Sequence, residues 1–398
     1  MKKLIGSTCL VAGTCIGAGM IALPIVLAKI GIVMSMVMLI AVWGVTYLAS
    51  LMTLELNLRA GEGKPLGLLG RHFGGLKAEI VGIVCLKLLA YSLLSAYLYG
   101  GTSVISKLLA MFNVEASNLA ISWVYFSVIL VILSLPLKLL DYTNRILFAG
   151  LITVLSIVIS ILMLAIYKFD FAIESTNLIS VSESIAVIFT SFGFQIVSHS
   201  LTNYCNKDAK ILKKAFFFGS LVPLLIYIVW TIGVITIVKQ ADPAFYKHML
   251  HNSVDVGDLV AKISQGASSN YLKELIWAVS VLAIITSALG VGMGLLDSWE
   301  KQLNISAKNL KKHVALVLVT LVPPFLIASY IPNAFISALS FAGIVNVIIV
   351  LVLPMYLLIK SDHNGTGYFY PVLKSKLIKG TIIILAVFVL SFELITKV

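Results

Sequence analysis

The stretch from Val11 to Pro24, VAGTCIGAGMIALP, sets three glycines into an otherwise apolar run and closes it on a proline. A backbone amide left unpaired in lipid is costly, so an interrupted helix at membrane depth is tolerated only where protein or a water-filled cavity surrounds it. Gly17 and Gly19 let the chain leave helical geometry, and their missing Cβ atoms let a ligand approach the backbone. A helix restarting near Ala18 would present unpaired N–H groups and a positive dipole end at Gly17, Ala18 and Gly19, which suits a carboxylate. A packing face of small residues is the plainer reading of the same glycines.

A second stretch weakens that plainer reading. FTSFGFQIVSHS, Phe189 to Ser200, repeats the pattern of small and hydroxyl residues around Gly193 in the middle of an apolar run. By our span count the two interrupted runs are the first and the sixth, five apart. This is the arrangement of an inverted repeat of five plus five helices with discontinuous helices in matching positions. Half-helix N-termini would hold an anionic group, while unwound carbonyls and hydroxyls take a cation or an ammonium. An amino acid offers both.

Charges inside apolar runs are the next candidates. Lys87 stands among Cys85, Leu86, Leu88 and Leu89. An ionisable side chain there is expected to carry a coupling proton or to act as a fixed cation in place of a sodium ion. The alternative is a lysine that snorkels to the nearer interface. His199 is a second protonation candidate. Glu55 and Glu300 are expected at the interface, at the ends of their spans.

The elements that position these residues follow from composition. Of 398 residues 60% are hydrophobic and 12% charged, with a mean hydropathy of +1.05, against about 25% charged in an ordinary soluble domain. The chain reads as an all-α integral membrane protein. We place about eleven spans, near 4–28, 32–57, 79–111, 119–137, 144–167, 183–204, 215–238, 273–297, 312–330, 334–359 and 378–396. The first repeat covers 1–168, the second 182–360, and a loop with the last span 361–398. The first span is expected to be retained rather than cleaved as a signal peptide.

The net charge of +12 argues no nucleic-acid partner, because the basic residues lie in short loops between apolar runs. Most fall on the side of the N-terminus. The opposite side holds only Lys29, Lys107, Lys168, Lys239, Lys247, Lys262, Lys273 and Lys397. The N-terminus is therefore expected in the cytoplasm and the C-terminus outside. The long outer loop, roughly 239–272, is expected to be a solvated cap with some short helix. Its His248 and His251 are not expected to bind a metal, and the four cysteines, Cys9, Cys15, Cys85 and Cys205, are expected to be apolar filler.

Over nearly its whole length the chain resembles the hydroxy and aromatic amino acid permeases, within them most closely the tyrosine-specific ones. The resemblance rests on AGTCIGAGMIALP, FTSFGFQIVSHSL, GSLVPLLIYIVW, SALGVGMGLLD and PPFLIASYIPNAFISALSFAG. It implies a LeuT-type fold in the amino acid, polyamine and organocation superfamily, a bacterial inner-membrane location, no cofactor, and import coupled to protons. In sodium-coupled members of that fold, hydroxyls of span eight meet carbonyls of span one. Here the corresponding candidates are Gly13, Ile16, Ala283, Thr286 and Ser287.

On this basis the carboxylate of the substrate is expected at the amides of Gly17, Ala18 and Gly19. Its ammonium is expected around Gly13, Thr14, Phe189, Thr190 and Ser191. Phe192, Phe194 and Gln195 are expected to shape the side-chain pocket, with Tyr91 and Tyr97 bonding the substrate or closing over it. The alternatives are a serine or threonine permease with a smaller pocket, sodium coupling, and a metal-ion transporter of the same fold, for which only Met20 lies near a break. A channel is disfavoured by paired breaks without a filter repeat. No GxxxxGK[ST] loop for nucleotide binding is present, and no covalent chemistry is expected.

Overall fold

A computed structural model describes residues 2–165, 178–267, 269–303, 310–331, 333–362 and 367–397. The loop boundary at Lys168 and the basic Lys308 lie outside them. Helices α1 (Lys2–Cys15) and α2 (Ala18–Ala28) form a broken pair bent by 54°, and α3 (Ile32–Arg59) and α4 (Leu66–Gly74) follow. Next come α5 (Leu76–Met111), α6 (Asn118–Leu133) and α7 (Leu137–Ala165). The second half holds α8 (Leu178–Ser191), a 3-10 turn (Phe194–Val197), α9 (Ser198–Tyr204), α10 (Ala209–Ala241), α11 (Pro243–His251) and α12 (Val256–Gln265). It continues with α13 (Asn270–Leu303), α14 (Leu310–Tyr330) and α15 (Ala334–Val347). A π turn (Ile348–Val352) leads into α16 (Leu353–Ser361), and α17 (Lys376–Lys397) ends the chain.

Eight of these stretches are long and apolar enough to cross a membrane, and the bent pair α1–α2 makes a ninth if counted as one span. The expectation of eleven also used the runs that became α6 and α17. Helix α6 is apolar but only 16 residues long, short of the roughly 20 that cross a hydrocarbon core unaided. Ser117 caps its start, accepting from the Ala120 N–H, and the chain leaves the helix at Ser134, two residues before Pro136. Helix α17 is not among the eight.

All eleven residues of α2 are buried. Its enclosure comes from packing against α8, α10, α13 and α15 rather than from contact with lipid. Close approach at glycine brings the neighbours in. A Cβ on Gly343 of α15 would run into the Ala186 backbone of α8, and one on Gly100 of α5 would meet the Phe335 ring of α15 at 2.7 Å.

The loop between α10 and α13 holds two short helices, each capped by an aspartate. Asp242 accepts from the Phe245 N–H at 2.9 Å and Asp255 from the Gly257 N–H at 3.3 Å. Asp255 also takes the hydroxyl hydrogens of Tyr99 and Ser103, which fastens α12 onto α5. Asp242 binds Lys262 at 2.7 Å, and this hydrogen bond, with that from Phe245, holds its carboxyl below the usual aspartate range.

The placement of Glu55 corrects the expectation of an interfacial carboxylate. It is fully buried. Its oxygens accept from Arg59 Nε at 2.9 Å and from the backbone N–H groups of Phe369 at 3.2 Å and Tyr370 at 3.0 Å. Arg59 reaches on to Asp362 at 3.0 Å, and Asp362 takes Lys379 at 2.6 Å. Burial opposes the charge on Asp362, yet the bonds from Lys379, Tyr368 and Arg59 hold its carboxyl below the ordinary range. Glu300 is partly exposed and stands 3.4 Å from His313.

Candidate functional site

The first break is two residues long: α1 ends at Cys15, α2 starts at Ala18, and Ile16 and Gly17 lie between. Gly17 has an extended backbone, with φ −173°, that any residue can adopt, so conformation does not demand glycine there. Space does. A Cβ on Gly17 would land on the hydroxyl of Ser287, which reaches across from α13 and accepts a hydrogen bond from the Ala18 N–H at 3.0 Å. One orphan amide of the new helix is thus satisfied by a side chain from another helix. A Cβ on Gly19 would stand 3.0 Å from the Ser191 hydroxyl and 3.4 Å from its Cα, so the first turn of α2 lies directly against the end of α8.

Ser191 closes α8 and opens the second break, where Phe192 and Gly193 lead into the 3-10 turn and the seven-residue α9. The carbonyls that end α1 and α8 turn toward one point. The hydroxyl of Tyr227, a fully buried residue of α10, donates to the Cys15 carbonyl at 2.7 Å and the Ser191 carbonyl at 2.8 Å. Two residues earlier in α8, Asn346 of α15 donates to the Phe189 carbonyl at 2.7 Å, and the Thr190 hydroxyl bonds the carbonyls of Ala186 and Leu339. Two negative helix ends and one positive helix start therefore converge among buried residues.

The model of the tryptophan/tyrosine permease family matches residues 1–393. The chain belongs to that family. It is 32% identical to "Tyrosine-specific transport system 1" of Haemophilus influenzae over 98% of this chain and 96% of the relative. It is 27% identical to "Glutamine transporter 2" of Aliivibrio fischeri over 92% and 90%, and 26% identical to a "Tryptophan-specific transport protein" of Pseudomonas aeruginosa over 86% and 82%. The chain is accordingly a multi-pass membrane permease and not an enzyme.

Around the breaks of this permease the expected residues divide into two groups. Ile16 and Ala283 are buried, and Phe192 and Phe194 fully so. The Phe192 ring packs on Tyr227 with centroids 5.1 Å apart, and Phe194 packs on Phe216 at 6.0 Å. Gln195 is buried and donates Nε2 to the Thr46 carbonyl at 3.1 Å, while its Oε1 has no partner among the described residues. Gly13 faces α7, where a Cβ would meet the Phe148 ring at 2.9 Å. Thr14 is exposed and bonds back to the Val11 carbonyl; Ser191 and Thr286 likewise bond back within their own helices. Tyr97 is buried.

Lys87 and Tyr91 do not contact the breaks, whereas His199 follows the second break directly, in the first turn of α9. The Lys87 ammonium lies 3.1 Å from the centre of the Trp299 ring and bonds Gln302, and Trp299 donates to the Tyr91 hydroxyl at 3.0 Å. Trp299 lies three turns beyond Ser287 on α13, which at the helical rise is about 18 Å. Tyr91 in turn donates to the Val319 carbonyl of α14 at 3.0 Å. His199 bonds the Ile196 carbonyl and the Ser200 hydroxyl, and its own carbonyl backs onto Gly63 in the turn after α3. Among the described residues, no group of three or more His, Cys, Asp or Glu is placed to hold a metal ion, and Met20 is enclosed in α2.

Tyr227 and Asn346 escaped the sequence reading. Both had a signal: each is a hydrogen-bonding side chain deep in an apolar run, Tyr227 within PLLIYIVW and Asn346 within FAGIVNVIIVLV. Such a group must find a partner inside the protein.

Proposed function

We propose that this permease imports an aromatic amino acid, tyrosine first and tryptophan or phenylalanine after it, by proton symport with alternating access. The observation that carries the reading is the meeting of the two breaks, with the carbonyl ends of α1 and α8 on one hydroxyl and the start of α2 beside Ser191. The carboxylate is assigned to the amides at Gly17 and Gly19, next to the Ala18 amide held by Ser287. The ammonium goes to the carbonyls around Cys15, Phe189 and Ser191, and the ring lies toward Phe192, Phe194 and Gln195.

In this reading eleven spans cross a bacterial inner membrane with the N-terminus in the cytoplasm. Residues 1–168 and 182–360 are the two inverted halves, and one group of helices rocks against the other around the fixed site. Protons are favoured over sodium on the family resemblance, and the hydroxyls of Thr286 and Ser287 keep sodium as the alternative. Lys87 is the coupling group, with His199 second.

Uptake of labelled tyrosine, tryptophan, phenylalanine, serine and glutamine into proteoliposomes, under separately imposed proton and sodium gradients, tests the whole reading. Tyrosine accumulation driven by the proton gradient is expected. Accumulation of none of the aromatic substrates overturns the substrate class, and accumulation driven by sodium alone moves coupling to the hydroxyls of α13.

A further inference from the structure

We propose that Tyr227 is a positioning residue for substrate, its one hydroxyl proton holding the two broken spans in register and leaving acceptor capacity for the ammonium; this rests on the amino acid reading above. The phenol is fully buried, and its oxygen stands within hydrogen-bond reach of two carbonyls that belong to different halves of the chain, Cys15 at 2.7 Å and Ser191 at 2.8 Å. Each of those residues is the last of its helix, so each carbonyl has lost the N–H that a continuing helix would supply.

Two carbonyls carry four lone pairs and a phenol has one proton to give. Shared between them, that proton satisfies neither carbonyl fully. Buried as these residues are, the remaining lone pairs call for further donors, and an ammonium brings three. The ring is held for this task by Phe192, packed at 5.1 Å immediately after Ser191, so hydroxyl and carbonyl move as a unit. Without the hydroxyl the two carbonyls would repel and turn apart, and the site would have to be reassembled on each binding event.

The experiment compares Tyr227→Phe with the parent protein in proteoliposome uptake and in equilibrium binding of labelled tyrosine, with thermal stability in detergent measured alongside. Phenylalanine keeps the packing on Phe192 and removes only the hydroxyl. KM and Kd are expected to rise about tenfold, the worth of one buried hydrogen bond, with Vmax within about twofold of the parent. A fall in Vmax at unchanged KM, or no change in either, overturns the proposal. Should Tyr227→Phe fail to fold, 3-fluorotyrosine placed at position 227 keeps ring and proton but strengthens the donor. Assayed at a pH where that phenol stays protonated, it is expected to change KM with melting temperature unmoved, and an unchanged KM overturns the proposal. Absence of tyrosine uptake by the parent protein overturns the substrate reading instead, and is thereby told apart.

Discussion

The Ser287 hydroxyl lies 3.0 Å from the Ala18 nitrogen, so a residue midway along α13 caps a helix that starts 269 positions earlier. The same hydroxyl occupies the space into which any side chain at position 17 would grow, while the Ser287 Cβ stands at 3.7 Å, an ordinary contact. Gly17→Ala is therefore expected to reduce uptake by about tenfold or more through overpacking. Combining it with Ser287→Ala removes the obstructing oxygen and is expected to recover uptake to within a few-fold of Ser287→Ala alone. A double variant no better than Gly17→Ala would refute this steric account.

Glycines that differ only in surroundings should differ in consequence. Gly343 faces the backbone of Ala186, which cannot turn aside, whereas Gly290 has nothing within 4 Å. Gly343→Ala is expected to destabilise the protein by about 1–3 kcal/mol. Gly290→Ala is expected to be neutral or to stabilise by up to about 1 kcal/mol through helix propensity. Melting of the detergent-purified proteins checks both, and equal shifts would contradict the packing of α8 on α15.

Glu55 and Arg59 form a buried pair, with side chains 0% and 2% exposed, and Glu55 also anchors the segment at Phe369 and Tyr370. Glu55→Gln removes one of the two carboxylates on Arg59, leaving Asp362 as its charged partner, and is expected to cost about 1–3 kcal/mol. Glu55→Gln with Arg59→Met is expected to restore part of the loss. Limited proteolysis near residues 367–375 should accelerate in the single variant, and an unchanged cleavage rate would show that Glu55 does not hold this segment.

Lys87 of α5 touches Trp299 and Gln302 of α13, and Trp299 lies about 18 Å along α13 from Ser287 by the helical rise. Lys87→Gln is expected to leave KM for tyrosine within about twofold while abolishing accumulation against a gradient and sparing substrate exchange, since K87 is assigned to coupling and not to binding. Undiminished proton-driven accumulation by the variant removes Lys87 from the mechanism.

Asp242 gives a pH dependence with a definite sign. Its bond from Lys262 holds the folded-state pKa below that of the unfolded chain. The stabilisation is therefore complete above the ordinary aspartate value of about 4 and is lost as pH falls through the lower folded value. Melting temperatures of the parent and Asp242→Asn should differ at neutral pH and converge in acid. A gap that stays constant down to about pH 3 would exclude the ion pair as its source.

The helices were legible in the sequence because long apolar runs in lipid have few options. The first break was legible because GTCIGAGM offers neither good helix propensity nor a loop composition, and SFGF marked the second. Glu55 was misjudged for an instructive reason: a carboxylate near the end of a span normally reaches water, and its burial depends on Arg59 one turn on and two amides from a segment more than 300 residues later. Tyr227 was passed over because a tyrosine in an apolar run looks like packing until its acceptors are known.

Sequence by itself determined that the chain is helical and membrane-embedded, and that the runs around Gly17 and Gly193 are interrupted. Those properties are local, following from hydropathy, glycine and the obligation to pair every amide in lipid. Only the tertiary structure decided which carbonyls meet, that the Ser287 hydroxyl takes the Ala18 amide, and that Lys87 sits over Trp299 in the last turns of α13. Such pairings join residues up to 269 positions apart through single hydrogen bonds, and no spacing along a chain encodes them.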